Sequence, residues 1–126
     1  MKTELSDGEW ILMKALWESS PRTITQLTTA LKDSTGWSKH TIISMLSRLE
    51  TKGAAAYKEA GRAKAYYPLL ERDDASRTET KHFLEKVYNG SLGVMVHAMV
   101  DSHALSQEDL QELSAILEQA KKGGKS

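Results

Sequence analysis

Cysteine is missing from the 126 residues altogether, proline occurs twice and phenylalanine once. Without thiols the chain has neither disulfides nor thiolate metal sites, and it fits a reducing compartment, so we expect a cytoplasmic protein. Long apolar runs are also lacking. No stretch approaches the roughly 20 residues that span a bilayer, and no apolar block follows a basic start, so membrane insertion is not expected. Excess charge of one sign is absent too, since 17 Lys and Arg balance 17 Asp and Glu. The histidines, His40, His82, His97 and His103, occur without an HExxH pattern, a nucleophile triad or a Gly-rich phosphate loop. Neither catalysis nor a bound cofactor is therefore expected. His97 and Asp101, four apart on one helix, could share a metal ion, but two ligands fall short of a site.

What is present is a folded composition, 40% hydrophobic and 27% charged, sized for one modest domain or two small units. Its charge is unevenly placed. Residues 1–70 hold ten basic and seven acidic side chains, a net of +3, and residues 71–126 hold seven and ten, a net of −3. Between Gly36 and Lys64 six cations (Lys39, Arg48, Lys52, Lys58, Arg62, Lys64) face two anions (Glu50, Glu59). Such asymmetry suggests contact with nucleic acid, although a solvated face would show the same count.

Helical grammar opens the chain. Ser6-Asp7-Gly8-Glu9 has the form of a capping box, with serine and glutamate each accepting from the other's N–H. Trp10, Met13, Leu16 and Trp17 then recur on one stripe, and Pro21 ends the segment. Thr23 and Ile24 read as a short extended piece, and Thr25 as the cap of a second helix reaching about Lys32 with Leu27 and Leu31 inward. The turn cluster Asp33-Ser34-Thr35-Gly36 leads to Ser38, the cap of a third helix that runs to about Lys52 with Gly53 beyond its end. Ala54 to Glu59 and Ala65 to Leu69 have strand character on either side of a basic, glycine-containing tip, Ala60 to Lys64. Three helices followed by a hairpin give the winged helix-turn-helix order. The expected fold is mainly α with a small β-hairpin wing.

On a wheel turning 100° per residue, Met45, Leu46 and Leu49 fall within about 60° of Ile42 and form the inward face of the third helix. His40, Ser44, Ser47 and Thr51 gather on the other side, with Ile43 on its shoulder and Lys39, Thr41 and Arg48 flanking. Short outward groups let a helix backbone approach a surface closely, and a DNA major groove about 12 Å wide admits such a helix. The expected DNA-facing set is therefore Lys39, His40, Thr41, Ile43, Ser44, Ser47 and Arg48. Lys58, Arg62 and Lys64 of the hairpin join it, along the backbone or in the adjacent minor groove. Gln26 and the first N–H groups of the second helix would add phosphate contacts.

From Glu71 the chain returns to helix. Asp73 or Ser76 caps a segment that buries Phe83, Leu84, Val87 and Tyr88 and ends at Asn89-Gly90. Leu92 to Val100 is apolar on nearly every side, including Met95, Val96 and Met99. Ser106 to Asp109 opens a last helix with Leu110, Leu113 and Leu117 in one stripe, before a polar tail from Lys121 to Ser126. Three helices of this size bury too little surface to stand alone. We therefore expect a DNA-binding domain at residues 1–70 and a helical dimerisation domain at residues 71–126. Two copies would pack isologously through Phe83, Val87, Leu92, Met95 and Val96, with Met99, Val100, Leu110, Leu113 and Leu117 completing the contact.

Four runs, LSDGEWILMKALWE, WSKHTIISMLSRLETKGAAAYKEAGRAKAYYPL, FLEKVYNGSLGVMV and LSQEDLQELSAILEQAKK, together resemble the penicillinase-repressor (BlaI/MecI/CopY) family of bacterial transcriptional regulators, over about Leu5 to Lys122. The resemblance implies a homodimeric winged-helix repressor that binds double-stranded, inverted-repeat operator DNA, with His40, Thr41, Ile43, Ser44 and Arg48 facing it. It also implies release by a membrane-bound sensor protease that cuts the dimerisation half. At that place this chain has Ala98-Met99 where β-lactam-responsive members carry Asn-Phe, and it lacks the cysteine cluster of the copper-responsive branch. Neither inducing signal is therefore carried over. Two other functions suit the same fold: a module that docks proteins without touching DNA, and a regulator answering to a small ligand or metal. A steep fall of duplex affinity with salt separates DNA binding from docking.

Overall fold

The computed structural model describes residues 4–123. In chain order the elements are helix α1 (Asp7–Glu18), strand β1 (Arg22–Thr23), helices α2 (Ile24–Thr35) and α3 (Lys39–Thr51), strands β2 (Ala55–Ala60) and β3 (Ala63–Pro68), and helices α4 (Arg72–Tyr88), α5 (Leu92–Asp101) and α6 (Gln107–Gly123). This is the expected mainly helical, winged helix-turn-helix architecture. The chain divides into two compact units between Thr80 and Lys81, inside α4, whereas the division expected from the sequence lies in the loop before that helix.

Helix α1 starts as its sequence dictates. Ser6 Oγ accepts from the Glu9 N–H at 3.2 Å and Glu9 Oε1 accepts from the Ser6 N–H at 2.9 Å. Its buried stripe is centred on Leu12, Met13 and Leu16, with Trp10 and Trp17 half-buried at the rim, rings edge-on at 5.7 Å. Helix α2 departs from expectation. Thr23, not Thr25, is its cap, because Gln26 three residues on can reciprocate: Gln26 N–H donates to Thr23 Oγ1 at 3.2 Å and Thr23 N–H to Gln26 Oε1 at 2.9 Å. Three residues beyond Thr25 stands Thr28, whose hydroxyl instead donates to Ile24 O. The helix consequently includes Ile24 and continues past Lys32 to Thr35, where Gly36 at φ 69° closes it.

The extended piece is Arg22–Thr23, and it forms a third strand, since β1 pairs antiparallel with β3 through Arg22 opposite Tyr66 and Thr23 opposite Ala65. Strand order is β1-β3-β2. The wing is tighter than expected. Ala60 pairs with Ala63, so the loop is Gly61-Arg62 alone, with Gly61 at φ 66° where a side chain would be strained. Lys64 therefore lies in β3 opposite Glu59 and not at the tip.

Helix α3 begins at the Ser38 cap and ends at Thr51, with Gly53 at φ 77° beyond it. Leu12, Met13, Leu16, Leu27, Ile42, Leu46 and Leu49 are sealed from solvent and form the core of the first unit, each contributing about 1.5–3 kcal/mol by leaving water. Gly8 lets α1 approach α3, because a Cβ there would stand 2.8 Å from Met45 Cε and push the methionine aside.

Glu9 is 1% exposed, and beyond capping α1 its Oε1 accepts from Lys52 Nζ at 2.6 Å. Lys52 Nζ also donates to Glu4 O at 2.8 Å. Burial alone pushes the Glu9 carboxyl up, but the Lys52 ammonium and the Ser6 N–H outweigh it and hold the group below its ordinary value of 4.5. With the folded value below the unfolded one, the ionised pair stabilises the fold fully above pH 4.5 and is lost as pH falls through the lowered value. Urea midpoints taken from neutral to acid pH should therefore fall more steeply for the parent than for Glu9→Gln across that window. Parallel curves would show that the fold is not linked to this carboxylate.

In the second half, α4 begins at Arg72, ahead of both expected caps, and Asp73 and Asp74 sit in its first turn where the helix dipole favours carboxylates. It ends at Tyr88, followed by Asn89 and Gly90 at φ 52° and 83°. Ser91 caps α5, and Ser106 and Asp109 exchange N–H bonds of 3.0 Å at the start of α6. Helix α6 continues through Lys121 and Lys122 to Gly123, so it outlasts the expected start of the polar tail; residues 124–126 lie outside the described range.

Candidate nucleic-acid interface

Helix α3 has the two faces its periodicity demands. Ile42, Leu46 and Leu49 are fully buried, while Lys39, His40, Ser44, Ser47 and Arg48 are exposed, Thr41 is half-buried and Ile43 is 46% exposed. Two of the short polar groups are partly occupied within the helix. Thr41 Oγ1 lies 3.3 Å from the capping Ser38 Oγ, and Thr51 Oγ1 donates to Ser47 O at 3.1 Å. Among the described residues nothing engages the side chains of His40, Ser44 or Arg48 through a hydrogen bond or ion pair. They face solvent.

Beside this face runs a groove of about 530 Å³ lined by Thr23, Ile24 and Thr25 at the start of α2, Lys39 and Ile43 of α3, and Arg62, Ala63, Lys64 and Tyr66 of the wing. The pairing of β1 with β3 explains it, since it fastens the wing against the chain entering α2. Lys64 is held in place by the aromatic pair beneath it. Its Nζ stands 4.4 Å from the centre of the Tyr57 ring, which packs on Tyr66 at 5.5 Å, a cation–π contact worth about 0.5–1 kcal/mol at an exposed site. Lys39, Arg62 and Lys64 thus converge with Ile43. Lys58 does not join them. It pairs with Ala65 while Lys64 pairs with Glu59, so the pleat sends it to the opposite face, into a hollow with Pro21 and Tyr67.

A second hollow of about 570 Å³ follows the turn between α2 and α3, lined by Thr25, Thr28, Thr29, Lys32, Asp33, Gly36, Trp37 and Lys39. The exposed Thr25, Thr29 and Lys32 of this face were missed from the sequence, although their helical spacing, i, i+4 and i+7, was there to find. Gln26 Oε1 is taken by the α2 cap, so only its amide nitrogen remains to donate to a phosphate. Lys52, counted with the basic stretch, is turned to the buried Glu9.

On the second unit Phe83, Val87, Leu92, Val100, Leu110 and Leu117 are exposed large apolar side chains, and so are Val94 and Ile116, which the sequence pattern did not single out. Met95, Val96, Met99 and Leu113 are half-buried, and no residue of α5 or α6 is buried. His97 Nδ1 and Asp101 Oδ2 do meet, at 3.3 Å on the exposed face of α5, and among the described residues no third ligand gathers with them. Among the described residues no helix is long and apolar enough to cross a membrane.

Three helices, a small antiparallel sheet with a two-residue wing turn, and an outward helix face of short groups beside a cationic groove define a winged helix-turn-helix chain of the DNA-binding kind. Residues 5–119 match the penicillinase repressor family, and the chain belongs to it. It is 35% identical over 118 residues to the penicillinase repressor of Bacillus licheniformis, covering 94% of this chain and 92% of that one. The methicillin resistance regulatory protein MecI of Staphylococcus aureus is 31% identical over 114 residues, covering 90% and 93%. The solution structure of monomeric Bacillus licheniformis BlaI in complex with the blaP half-operator superposes with a TM-score of 0.51 at 34% identity, over 59% of this chain and 93% of that one.

Proposed function

We propose that the chain is a cytoplasmic transcriptional repressor that acts as a homodimer on an inverted-repeat operator. Residues 1–70 would read DNA through α3 and the wing, and residues 71–126 would pair the two copies. The convergence of Lys39, Arg62 and Lys64 around Ile43, beside the unengaged His40, Ser44 and Arg48, carries the proposal. It supplies phosphate-binding cations next to groups short enough to meet base edges. The apolar side chains left exposed on α4, α5 and α6 support the dimer, because a second copy would cover them. A sensor protease is a partner by resemblance alone, and Ala98-Met99 offers it no Asn-Phe pair. Selection from a random-sequence duplex pool by the full chain should recover an inverted repeat whose half-site centres lie about 10–10.5 base pairs apart, or a multiple of that. Recovery of no duplex would refute DNA recognition, and recovery of isolated half-sites would refute the dimer.

A further inference from the structure

We infer that Lys52, although it caps the recognition helix amid a run of cations, is a positioning residue and not a DNA contact: through buried Glu9 it fixes the junction between α3 and the wing. The inference rests on the repressor reading above. Lys52 follows the last residue of α3, and only Gly53 and Ala54 separate it from β2. At that junction Lys52 N–H donates to Arg48 O, Ala54 N–H to Leu49 O, and Leu69 N–H to Ala54 O. Ala54, two residues past the helix cap Lys52, therefore ties the end of α3 to the place where the wing returns. The side chain of Lys52 reaches away from this junction to Glu9 Oε1 at 2.6 Å and Glu4 O at 2.8 Å. Glu9 is itself pinned by the Ser6 N–H at 2.9 Å and is 1% exposed. One end of the link is thus a sealed carboxylate at the start of α1, and the other is the junction between the two elements that flank the cationic groove. Glu9 is sealed whereas Lys52 keeps 35% of its side chain exposed, so water screens the pair in part, yet displacing the ammonium leaves a carboxylate that solvent reaches poorly.

The test compares Glu9→Gln, Lys52→Met, Lys52→Arg and the double variant Glu9→Gln/Lys52→Met with the parent. Two probes are used, a duplex that the parent recovers from a random pool and a random-sequence duplex. Mispositioning should lower the ratio of the two affinities by at least about fivefold, the low end of the cost of one misread base pair. The slope of log affinity against log salt should stay unchanged. Glu9→Gln, altered at a carboxylate that no duplex can reach, should show the same fall in selectivity, and Lys52→Arg should restore it. A variant that is merely less folded binds both duplexes more weakly in equal measure. If Lys52→Met fails to fold because it strands a buried charge, the double variant, which buries none, carries the comparison. The inference is overturned if Lys52→Met flattens the salt slope by about 0.9 per chain while Glu9→Gln binds as the parent does, since that marks a direct phosphate contact. A readout without DNA is the set of backbone amide shifts of residues 53–60, which should move in both Glu9→Gln and Lys52→Met. Unmoved shifts would overturn the link even if the parent recovers no duplex and the repressor reading itself fails.

Discussion

Replacing Lys39, Arg62 and Lys64 together with alanine should flatten the salt dependence of duplex affinity by about 2.7 log units per chain for each tenfold change in salt, roughly 0.9 for each phosphate no longer neutralised. The three side chains are exposed and border one groove, so their removal takes away charge without opening a cavity in the core. Binding to all duplexes should weaken together. Lys58→Ala should flatten the slope less than Lys64→Ala, because the pleat places Lys58 on the other face of the sheet. Ser44→Ala or Ile43→Ala should change which duplex is preferred and leave the slope alone, as base contacts carry sequence information and phosphate contacts do not. Titration of one duplex at several salt concentrations decides the matter. A triple variant with the parental slope would remove the groove from the binding surface.

Paired substitution of Leu92 and Val94 by aspartate should raise the dimer dissociation constant by on the order of a thousandfold or more. These positions are 59% and 54% exposed in the single chain, on a helix with no buried residue. A second copy that covers them would have to bury unpaired carboxylates at a cost of several kcal/mol, and a two-fold contact counts each one twice. Sedimentation equilibrium should show dimers for the parent and single chains for the variant at micromolar concentration, with operator affinity falling as the second half-site goes unoccupied. A parent that sediments as a single chain, or a variant that pairs equally well, would remove α5 from the interface.

Features set by neighbours a few residues apart were legible in the sequence. The Ser6–Glu9 box, the Ser38 cap and the buried face of α3 all depend on spacings within one or two turns. Even so, locality needs its full chemistry. Thr25 resembles a cap as closely as Thr23 does, and the choice is made by Gln26, which can answer only Thr23. What involves distant segments was hidden. Strand β1 was foreshadowed only as an extended piece at Thr23 and Ile24; its start at Arg22 and its pairing depend on β3 coming to meet it. The side chain of Lys64 is supported by a tyrosine across the hairpin. Lys52 finds its carboxylate 43 residues earlier, and nothing in the basic stretch around it signals that it is committed elsewhere. On the second unit the composition announced greasy helices, but which of their residues face outward depends on packing, so Val94 and Ile116 were passed over while the half-buried Met95 and Met99 were included.

The carboxylate of Glu9 both accepts from the Ser6 N–H at the start of the first helix and tethers the end of the third. Neutralising either side chain alone leaves the other without its partner, so a defect caused by changing residue 9 should be relieved by a second change at residue 52. A screen for loss of binding should accordingly recover substitutions at the sealed Glu9 as well as on the exposed face of α3, with compensating changes at Lys52.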